Sequence, residues 1–288
     1  MSTTKTLILS DGRKLAWEEA GKPDGVPIIY FHGSPGSKLQ RRVFINEEYL
    51  INSNIKMITP DRPGIGFSDF EINRKIESCE KDISALVENL NLNKFAVLGF
   101  SGGTPYALTI ASSQLPVRAV GIVSGDAPYH SLPEVPEGLP NTAERHPLLT
   151  KLTLYFIRFM AKMAPGITIN RGTAMLSEAD QKVVADPLIR KRFLFMLKDS
   201  LRQGPDGLLK DLQLARQHWN VDSLNKRAPV EVWHGEADAD SPISIAEYFK
   251  EKIPRTNLHT YPGEGHVSVF VNHAKEILQT LAKDLQAA

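Results

Sequence analysis

The sequence contains a single cysteine, Cys79, so no disulfide bond can form within the chain. Such a chain places no demand on an oxidising compartment. Cys79 lies in a helical pattern over residues 77–90 and is predicted to be a small buried side chain rather than a nucleophile. Neither charge is in excess, because 34 Lys and Arg oppose 33 Asp and Glu. That balance gives no electrostatic basis for binding nucleic acid or a membrane surface, and we predict neither partner.

Long hydrophobic runs are also missing, and no apolar segment is long enough to cross a bilayer. The first five residues lead into strand-like sequence without the apolar region of a signal peptide, which favours a cytoplasmic protein. No group of histidine, cysteine and carboxylate side chains has the spacing of metal ligands. The glycine-rich turns match neither the dinucleotide-binding nor the Walker pattern. We therefore expect no metal and no cofactor.

Strand-like and helix-like segments alternate at both ends of the chain. After a hairpin pattern, strands are predicted at 26–31, 55–59, 94–98, 117–123, 229–234 and 258–261, with helices at 38–52, 77–90, 104–111, 243–252 and 267–286. Continuous apolar strands of this kind are typical of a mostly parallel sheet with helices on both faces. No strand pattern occurs between 127 and 228, where a proline-rich stretch precedes several helical patterns. We predict an α/β core formed by 1–126 and 229–288, with an all-helical insertion over 127–228.

The segment Gly99-Phe100-Ser101-Gly102-Gly103 joins a predicted strand to a predicted helix and fits the pattern G-x-S-x-G. Glycine permits the sharp turn needed there, since a Cβ atom would collide with the neighbouring strand or helix. Strand, tight turn and helix together predict a nucleophile elbow, with Ser101 in a strained conformation at its tip. A glycine-rich turn without chemistry has the same local pattern, so the assignment depends on partners elsewhere in the chain.

A serine hydroxyl needs a general base, and the base needs a carboxylate that orients it. His266, at the end of the segment GEGH at 263–266, follows the last predicted strand and is the candidate base. The loop after the preceding strand supplies two candidate acids, Asp238 and Asp240. Either carboxylate is close enough along that loop to reach His266.

Five segments together resemble the α/β-hydrolase fold family over almost the full length of the chain. They are HGSPGS at 32–37, DRPGIGFS at 61–68, the elbow at 99–103, HGEAD at 234–238 and GEGH at 263–266. The resemblance implies an α/β-hydrolase fold, with the insertion at 127–228 as a helical cap. It also implies the catalytic order serine, acid, histidine. The resemblance favours Asp238 as the acid, because the family's usual spacing matches Gly235, Asp238 and Pro242. Asp240 ranks second, and Asp126, which corresponds to the acid of some relatives after an earlier strand, ranks third.

The same resemblance implies where an oxyanion would be bound. A tetrahedral intermediate needs two preorganised backbone N–H donors, and these are expected to be the amides of Gly102 and Ser34. His32 is expected to hydrogen-bond within the turn that carries Ser34. The Ser34-Pro35 peptide bond is a candidate for the cis form.

Other polar residues are expected to support the site without taking part in the chemistry. His234 is predicted to shape the turn ahead of the acid, and Asp61 to pair with Arg62 or to cap the backbone. The remaining histidines have no supporting pattern: His130, His146, His218, His259 and His273.

The insertion contains apolar residues at near-helical spacing, namely Leu149, Leu152, Tyr155, Phe156, Phe159, Met160 and Met163. We predict that most of them pack in the interior of the cap and that one or two line an apolar pocket over Ser101. Further candidates for the pocket are Leu194, Met196 and Leu197.

These observations predict a carboxylesterase-like serine hydrolase with the triad Ser101, Asp238 and His266. The expected substrate is a small, largely uncharged ester, thioester, lactone or related acyl compound, cleaved through an acyl-enzyme. Alternatives are an aminopeptidase-like or carbon–carbon bond hydrolase, or a small-molecule receptor on the same fold. A small-molecule substrate is the expected partner, and the oligomeric state is left open.

Overall fold

The computed structural model describes residues 3–128, 139–215, 217, 219 and 228–287. Its strands form one eight-stranded sheet with the order β1-β2-β4-β3-β5-β6-β7-β8. The strands are β1 (Lys5–Ile8), β2 (Lys14–Gly21), β3 (Val26–Phe31), β4 (Ile55–Pro60), β5 (Phe95–Phe100), β6 (Val117–Val123), β7 (Val230–Gly235) and β8 (Thr256–Tyr261). β2 runs antiparallel to both of its neighbours, and every pair from β4 to β8 is parallel. The predicted mostly parallel sheet is confirmed.

Helices cover both faces of the sheet because successive strand residues bury apolar side chains on opposite sides. The helices are α1 (Arg41–Phe44), α2 (Glu47–Asn52), α3 (Cys79–Asn89), α4 (Thr104–Ser112), α5 (Leu139–Arg145), α6 (Pro147–Met163), α7 (Pro165–Thr173), α8 (Glu178–Val184), α9 (Pro187–Ser200), α10 (Asp206–Ala215), α11 (Ile243–Lys252) and α12 (Ser268–Ala287). α3, α4 and α11 contribute to the hydrophobic core on one face. α1, α2 and α12 contribute to the core on the other face, so the predicted layering is confirmed.

Between β6 and β7 the described residues form only the helices α5 to α10, which we call the helical insertion. Pro147, Pro165 and Pro187 each stand in the first turn of a helix. Proline is favoured there because its missing N–H has no partner in a helix start anyway. α5 lies in the proline-rich stretch that the sequence analysis placed ahead of the helical patterns, and no helix was predicted there. The boundaries 127 and 228 stay predictions, since residues 129–138 and 220–227 lie outside the described set.

The predicted helix over 38–52 is divided into three pieces. A single 3-10 turn at Lys38–Gln40 leads into α1, and the chain is extended at Ile45 before α2 begins. The side chain of Asn46 accepts a hydrogen bond from the backbone N–H of Glu48 and caps α2. An N-cap residue marks the start of a new helix. The amphipathic pattern continues through this break, which is why a single helix was predicted.

The apolar residues of α6 do not pack as predicted. Leu149, Leu152, Tyr155, Phe156, Phe159 and Met163 are between 45% and 68% exposed. The inward face of α6 instead carries Thr150, Leu154 and Ala161, which are buried. The prediction was wrong because the helix has two apolar faces on opposite sides, and helical spacing does not show which of them faces inward.

Two of the pocket candidates on α9 belong to hydrophobic cores, and whether any of them lines a pocket over Ser101 stays a prediction. Met196 is buried in the core shared with α1 and α12, and Leu197 packs against the interior of the helical insertion. Among the described helices, none is both long enough and apolar enough to cross a membrane.

Candidate active site

The tight turn after β5 has the geometry of a nucleophile elbow. Ser101 has a φ of 50°, in the left-handed region, which a side chain other than glycine rarely adopts. A Cβ atom on Gly103 would overlap the backbone carbonyl of Phe31, so only glycine fits where the turn crosses β3. The strained conformation predicted for Ser101 is present. Its hydroxyl makes no hydrogen bond to any described residue.

The two predicted oxyanion donors lie side by side. Ser34 follows β3, its bond to Pro35 is cis, and it faces the elbow. A Cβ atom added to Gly102 would be 3.1 Å from the Ser34 Oγ and 3.4 Å from the Ser34 nitrogen. The loop after β3 and the elbow therefore approach closely at Gly102 and Ser34, the two residues expected to supply the amides.

A buried guanidinium holds the loop that carries Ser34. Arg62 donates to the backbone carbonyl of His32, to that of Gly33 at 2.9 Å, and to the Ser34 Oγ at 2.8 Å. Its Nε donates to the Oδ2 of Asp211, on α10, at 2.8 Å. The helical insertion thus supplies the counter-ion of the residue that fixes the oxyanion loop.

Asp211 is the counter-ion of two buried arginines, Arg62 and Arg74. Arg74 also pairs with its carboxylate and donates to the hydroxyl of Tyr106 at 2.5 Å. Burial alone would raise the pKa of Asp211, but Arg62 and Arg74 outweigh it and lower the pKa to about 2. The carboxylate is accordingly ionised throughout the neutral range.

Asp61 does not form the predicted ion pair with Arg62. Its carboxylate accepts from Lys38 Nζ at 2.8 Å, and from the backbone N–H groups of Lys38 and Phe67. The alternative prediction, that Asp61 caps backbone N–H groups, is confirmed. Lys38 also donates to Asp199 of α9 at 2.9 Å, and burial raises the pKa of Asp61 to about 6.

The candidate base and the favoured acid are in direct contact. The Nδ1 of His266 lies 2.8 Å from the Oδ2 of Asp238, and both residues are buried. The other oxygen of Asp238 accepts from the backbone N–H groups of Asp240 at 2.9 Å and Ser241 at 2.8 Å. Burial raises the pKa of Asp238, but the neighbouring His266 lowers it below its ordinary value. A carboxylate held on both oxygens can orient the imidazole.

The other two candidate acids surround this pair without taking its place. Asp240 contributes its backbone N–H to Asp238, and Asp126 is hydrogen-bonded to the Ser241 hydroxyl at 3.3 Å. Partial desolvation raises the pKa of Asp240, although this residue is exposed, and burial raises the pKa of Asp126 to about 6. Burial would lower the pKa of His266, but Asp238, followed by Asp240 and Asp126, raises it to about 9.

A carboxylate from the helical insertion holds the backbone of the candidate base, and the sequence analysis missed it. The Oδ2 of Asp180, on α8, accepts from the N–H of His266 at 3.0 Å. Its Oδ1 accepts from the N–H of Val267 at 2.8 Å and of Ser268 at 2.7 Å. These are the free donors at the start of α12, so Asp180 caps a helix to which it does not belong.

The sequence signal at this position indicates a different role. Ser177 and Asp180 match a capping box, and Ser177 does accept from the Asp180 N–H at 3.2 Å. The acid of such a box normally turns back to its own helix, whereas Asp180 turns to the loop of His266. Gly265 permits this approach, because a Cβ atom there would overlap Ser177 and Asp180.

The remaining histidines take structural positions. His234 contacts the Ser241 carbonyl at 2.7 Å across the turn that carries Asp238, as predicted. The Nδ1 of His32 contacts the carbonyl of Gly33 at 2.9 Å, within the oxyanion loop, also as predicted. His259 lies 2.7 Å from Glu231 on the neighbouring strand. His130 and His218 lie outside the described residues, and among those that are described no cluster of three or more potential ligands could hold a metal ion.

Comparison with known proteins agrees with this architecture. A family model for the alpha/beta hydrolase fold matches residues 26–273. An uncharacterized hydrolase of Saccharomyces cerevisiae is 33% identical over 118 residues, which cover 40% of this chain and 39% of that protein. A proline iminopeptidase of Arabidopsis thaliana is 34% identical over 124 residues, which cover 41% of this chain and only 30% of the relative.

Among solved structures, a carboxylesterase of Nitrososphaera gargenis has a TM-score of 0.73 at 17% identity and covers 99% of this chain and 100% of its own. The matches to these two curated relatives span less than half of their length, whereas the family model and the shared fold span most of this chain. The chain belongs to the α/β-hydrolase fold family.

Proposed function

We propose that the chain is a serine hydrolase that cleaves a small, largely uncharged ester, thioester, lactone or related acyl compound. The observation that carries this proposal is the 2.8 Å contact between the His266 Nδ1 and the Asp238 Oδ2. The ring of His266 packs against Phe100, with 5.1 Å between ring centroids, and Phe100 is the residue directly before Ser101. A base oriented by a buried carboxylate beside a strained elbow is the arrangement that activates a serine.

The proposed reaction follows from which nitrogen of the His266 imidazole contacts Asp238. Because Nδ1 faces Asp238, Nε2 is the atom that takes the proton of the Ser101 hydroxyl as the oxygen attacks the acyl carbon. The same proton then passes to the leaving group, and an acyl-enzyme remains on Ser101. Water attacks that ester with His266 again as base, and the acid is released. Asp238 stays ionised throughout and stabilises the imidazolium.

The amides of Gly102 and Ser34 are proposed to bind the oxyanion of both tetrahedral intermediates. Arg62 holds the carbonyls of the loop on its other side, which keeps the loop fixed while the charge develops. Preorganised donors of this kind matter because losing one typically costs about 10²–10³ in kcat.

Charge around the base supports an uncharged acyl group. The carboxyl groups of Asp126 and Asp240 are close enough to His266 to raise its pKa, and both would repel an anionic substrate. The Nitrososphaera gargenis neighbour, a carboxylesterase, has the same fold and agrees with ester chemistry.

The same two carboxyl groups support one second candidate. A substrate with a free amino group carries a positive charge, which Asp126 and Asp240 would attract rather than repel. The relative of Arabidopsis thaliana is named a proline iminopeptidase, and it matches 41% of this chain. Hydrolysis of an amino-terminal residue is therefore the alternative to ester hydrolysis.

Steady-state assays with p-nitrophenyl esters of increasing acyl length and with proline p-nitroanilide distinguish the two candidates. We expect faster turnover of the short esters, together with fluorophosphonate labelling that Ser101→Ala abolishes. Preference for the anilide would move the assignment to the second candidate. Labelling that survives Ser101→Ala, or tight binding of small molecules without any turnover, would contradict the hydrolase proposal.

The acid is tested by a matched pair of substitutions in one loop. Asp238→Asn should lower kcat by up to about 10⁴, because an amide at this position favours the wrong tautomer of His266. Asp240→Asn removes a carboxylate two positions away that does not bind the imidazole, and we expect a loss of less than about tenfold. Equal losses would show that the acid is misassigned.

A further inference from the structure

Positive charge is concentrated on three neighbouring helices of the insertion. α6 and α7 contain no Asp or Glu, and the only acid of α9 is Asp199, while all three helices carry Lys or Arg. α6 packs against both α7 and α9. The formal net charge of the whole chain is only +1, so the overall balance conceals a cationic region. A local excess of one charge attracts ions of the opposite charge to that region, whatever the net charge.

A groove of about 230 Å³ lies between α6 and α9 in this region, and we call it the α6–α9 groove. Four cationic side chains line it, namely Arg158 and Lys162 of α6, Lys198 of α9, and Arg202 just after α9. The other lining residues are Ala161, Leu197 and Leu201. None of the described carboxylates lines the groove. Four positive charges therefore meet in a space smaller than the roughly 300–1,000 Å³ of an ordinary ligand pocket.

The two guanidinium groups of the groove are held in place by the protein. Arg158 donates to the backbone carbonyl of Arg202 at 3.0 Å. The Nε of Arg202 donates to the Oδ1 of Asp199 at 2.9 Å, and its guanidinium lies over the ring of Phe67, 4.1 Å from the ring centroid. A guanidinium group that is fixed before binding loses less conformational entropy when an oxyanion arrives.

The acid beside the groove does not balance these charges. Asp199 also accepts from the buried Lys38 at 2.9 Å, so two cations share one carboxylate. Lys162 and Lys198 form no ion pair with a described residue, although Lys198 is half-buried. Both lysines lie in the last turn of their helices, where the helix dipole favours a cation. The dipole does not account for Arg158, which lies more than one turn before the end of α6.

We propose that the α6–α9 groove binds the phosphate or diphosphate group of a small molecule. Four cations call for several negative charges on one compact group, and a phosphate group supplies these together with three strong acceptor oxygens. A carboxylate supplies a single charge. The volume of the groove admits such a group but not a whole drug-sized ligand, so the rest of the molecule lies outside. The site is apart from the candidate triad and does not rest on the proposed function.

Isothermal titration calorimetry of the full chain with sodium pyrophosphate at low ionic strength tests the site. We expect one bound ion per chain. Lys198→Gln should weaken binding about tenfold, the effect of one charge-assisted hydrogen bond. The matched control is Lys191→Gln, on the same helix but outside the groove, and it should change the Kd less than about twofold.

Circular dichroism should be unchanged in both variants, because neither lysine forms an ion pair with a described residue. Absence of binding to the wild type would overturn the proposal. Equal weakening by Lys198→Gln and Lys191→Gln would also overturn it, because a diffuse positive field would then explain the binding. Ser101→Ala should bind pyrophosphate as the wild type does, and weaker binding would place the anion at the candidate active site instead.

Two sources present the same phosphate chemistry, a soluble phosphate ester and the headgroup of a phosphomonoester lipid. Cosedimentation with phosphatidylcholine vesicles, with and without phosphatidic acid, separates them. Binding that requires phosphatidic acid and is lost in Lys198→Gln would support the site with a lipid headgroup as its ligand. Pyrophosphate binding without vesicle binding would support it with a soluble phosphate ester as its ligand.

Discussion

Replacing Asp180 by asparagine separates the two roles of its side chain, which caps α12 and holds the backbone of His266. The Oδ1 of Asp180 accepts from the Val267 and Ser268 amides, and the Oδ2 accepts from the His266 amide. An asparagine can keep the first two bonds with its carbonyl oxygen, but its NH₂ group then faces the N–H of His266. The variant therefore caps α12 and releases the backbone of the proposed base.

The cost follows from the bond that is lost. A hydrogen bond to a charged group contributes about 1.5–3 kcal/mol, and the buried amide of His266 would be left without an acceptor. We expect Asp180→Asn to lower the free energy of unfolding by about that amount. A displacement of the base by about 1 Å would lower kcat by about 10² while KM changes little, since the substrate contacts are unaffected.

The matched control is Asp186→Asn, because Asp186 also caps a helix of the insertion. Its Oδ1 accepts from the backbone N–H groups of Leu188 at 2.8 Å and Ile189 at 2.9 Å, it is exposed, and its side chain forms no hydrogen bond to a described residue of the candidate site. Urea unfolding and steady-state kinetics on the preferred ester should be measured for both variants. We expect normal kcat for Asp186→Asn.

Two results would refute this reasoning. A normal kcat in Asp180→Asn, together with reduced stability, would show that the carboxylate stabilises the fold without positioning His266. Similar losses of kcat in Asp180→Asn and Asp186→Asn would show a general effect of loosening the helical insertion.

Two further substitutions have defined outcomes. Asp126→Asn removes a negative charge that raises the pKa of His266, so the base is deprotonated at lower pH. The acidic limb of the kcat/KM profile should shift down by up to about one pH unit, and an unchanged midpoint would contradict this. Asp211→Asn leaves Arg62 and Arg74 buried without a counter-ion and should cost about 3–5 kcal/mol in urea unfolding. Because the pKa of Asp211 is lowered to about 2, its ionised carboxylate stabilises the fold above about pH 4, and this stabilisation is lost as the pH falls towards 2. The free energy of unfolding of Asp211→Asn should therefore fall less than that of the wild type over this pH range. An equal fall in both proteins would refute this prediction.

The sheet and the residues of the candidate triad could be predicted because their signals are local. A buried parallel strand is a short apolar run, and Ser101 and His266 stand in glycine-rich turns directly after such runs. Asp238 follows its strand in the same way. Parallel strands bring their carboxyl ends to one edge of the sheet, so the order of the segments was enough to place these residues together.

Asp180 and Asp211 could not be found in this way. Each acid lies in a helix of the insertion and acts on residues 86 or more positions away in sequence, such as His266, Arg62 and Arg74. A carboxylate on an amphipathic helix is usually solvated, and nothing nearby marks these two as buried. The apolar residues of α6 were misjudged for a related reason, because periodicity identifies an apolar face without identifying what covers it.

The carboxylates that join the helical insertion to the core also limit how such enzymes can be recombined. Asp199 neutralises Lys38, Asp211 neutralises Arg62 and Arg74, and all of these groups are buried. A chimera that took its insertion from another member of the family, without acids at the corresponding positions, would enclose three cations with too few anions. The insertion and the loops beneath it therefore depend on each other electrostatically. An insertion exchanged on its own would have to carry acids at the positions of Asp199 and Asp211.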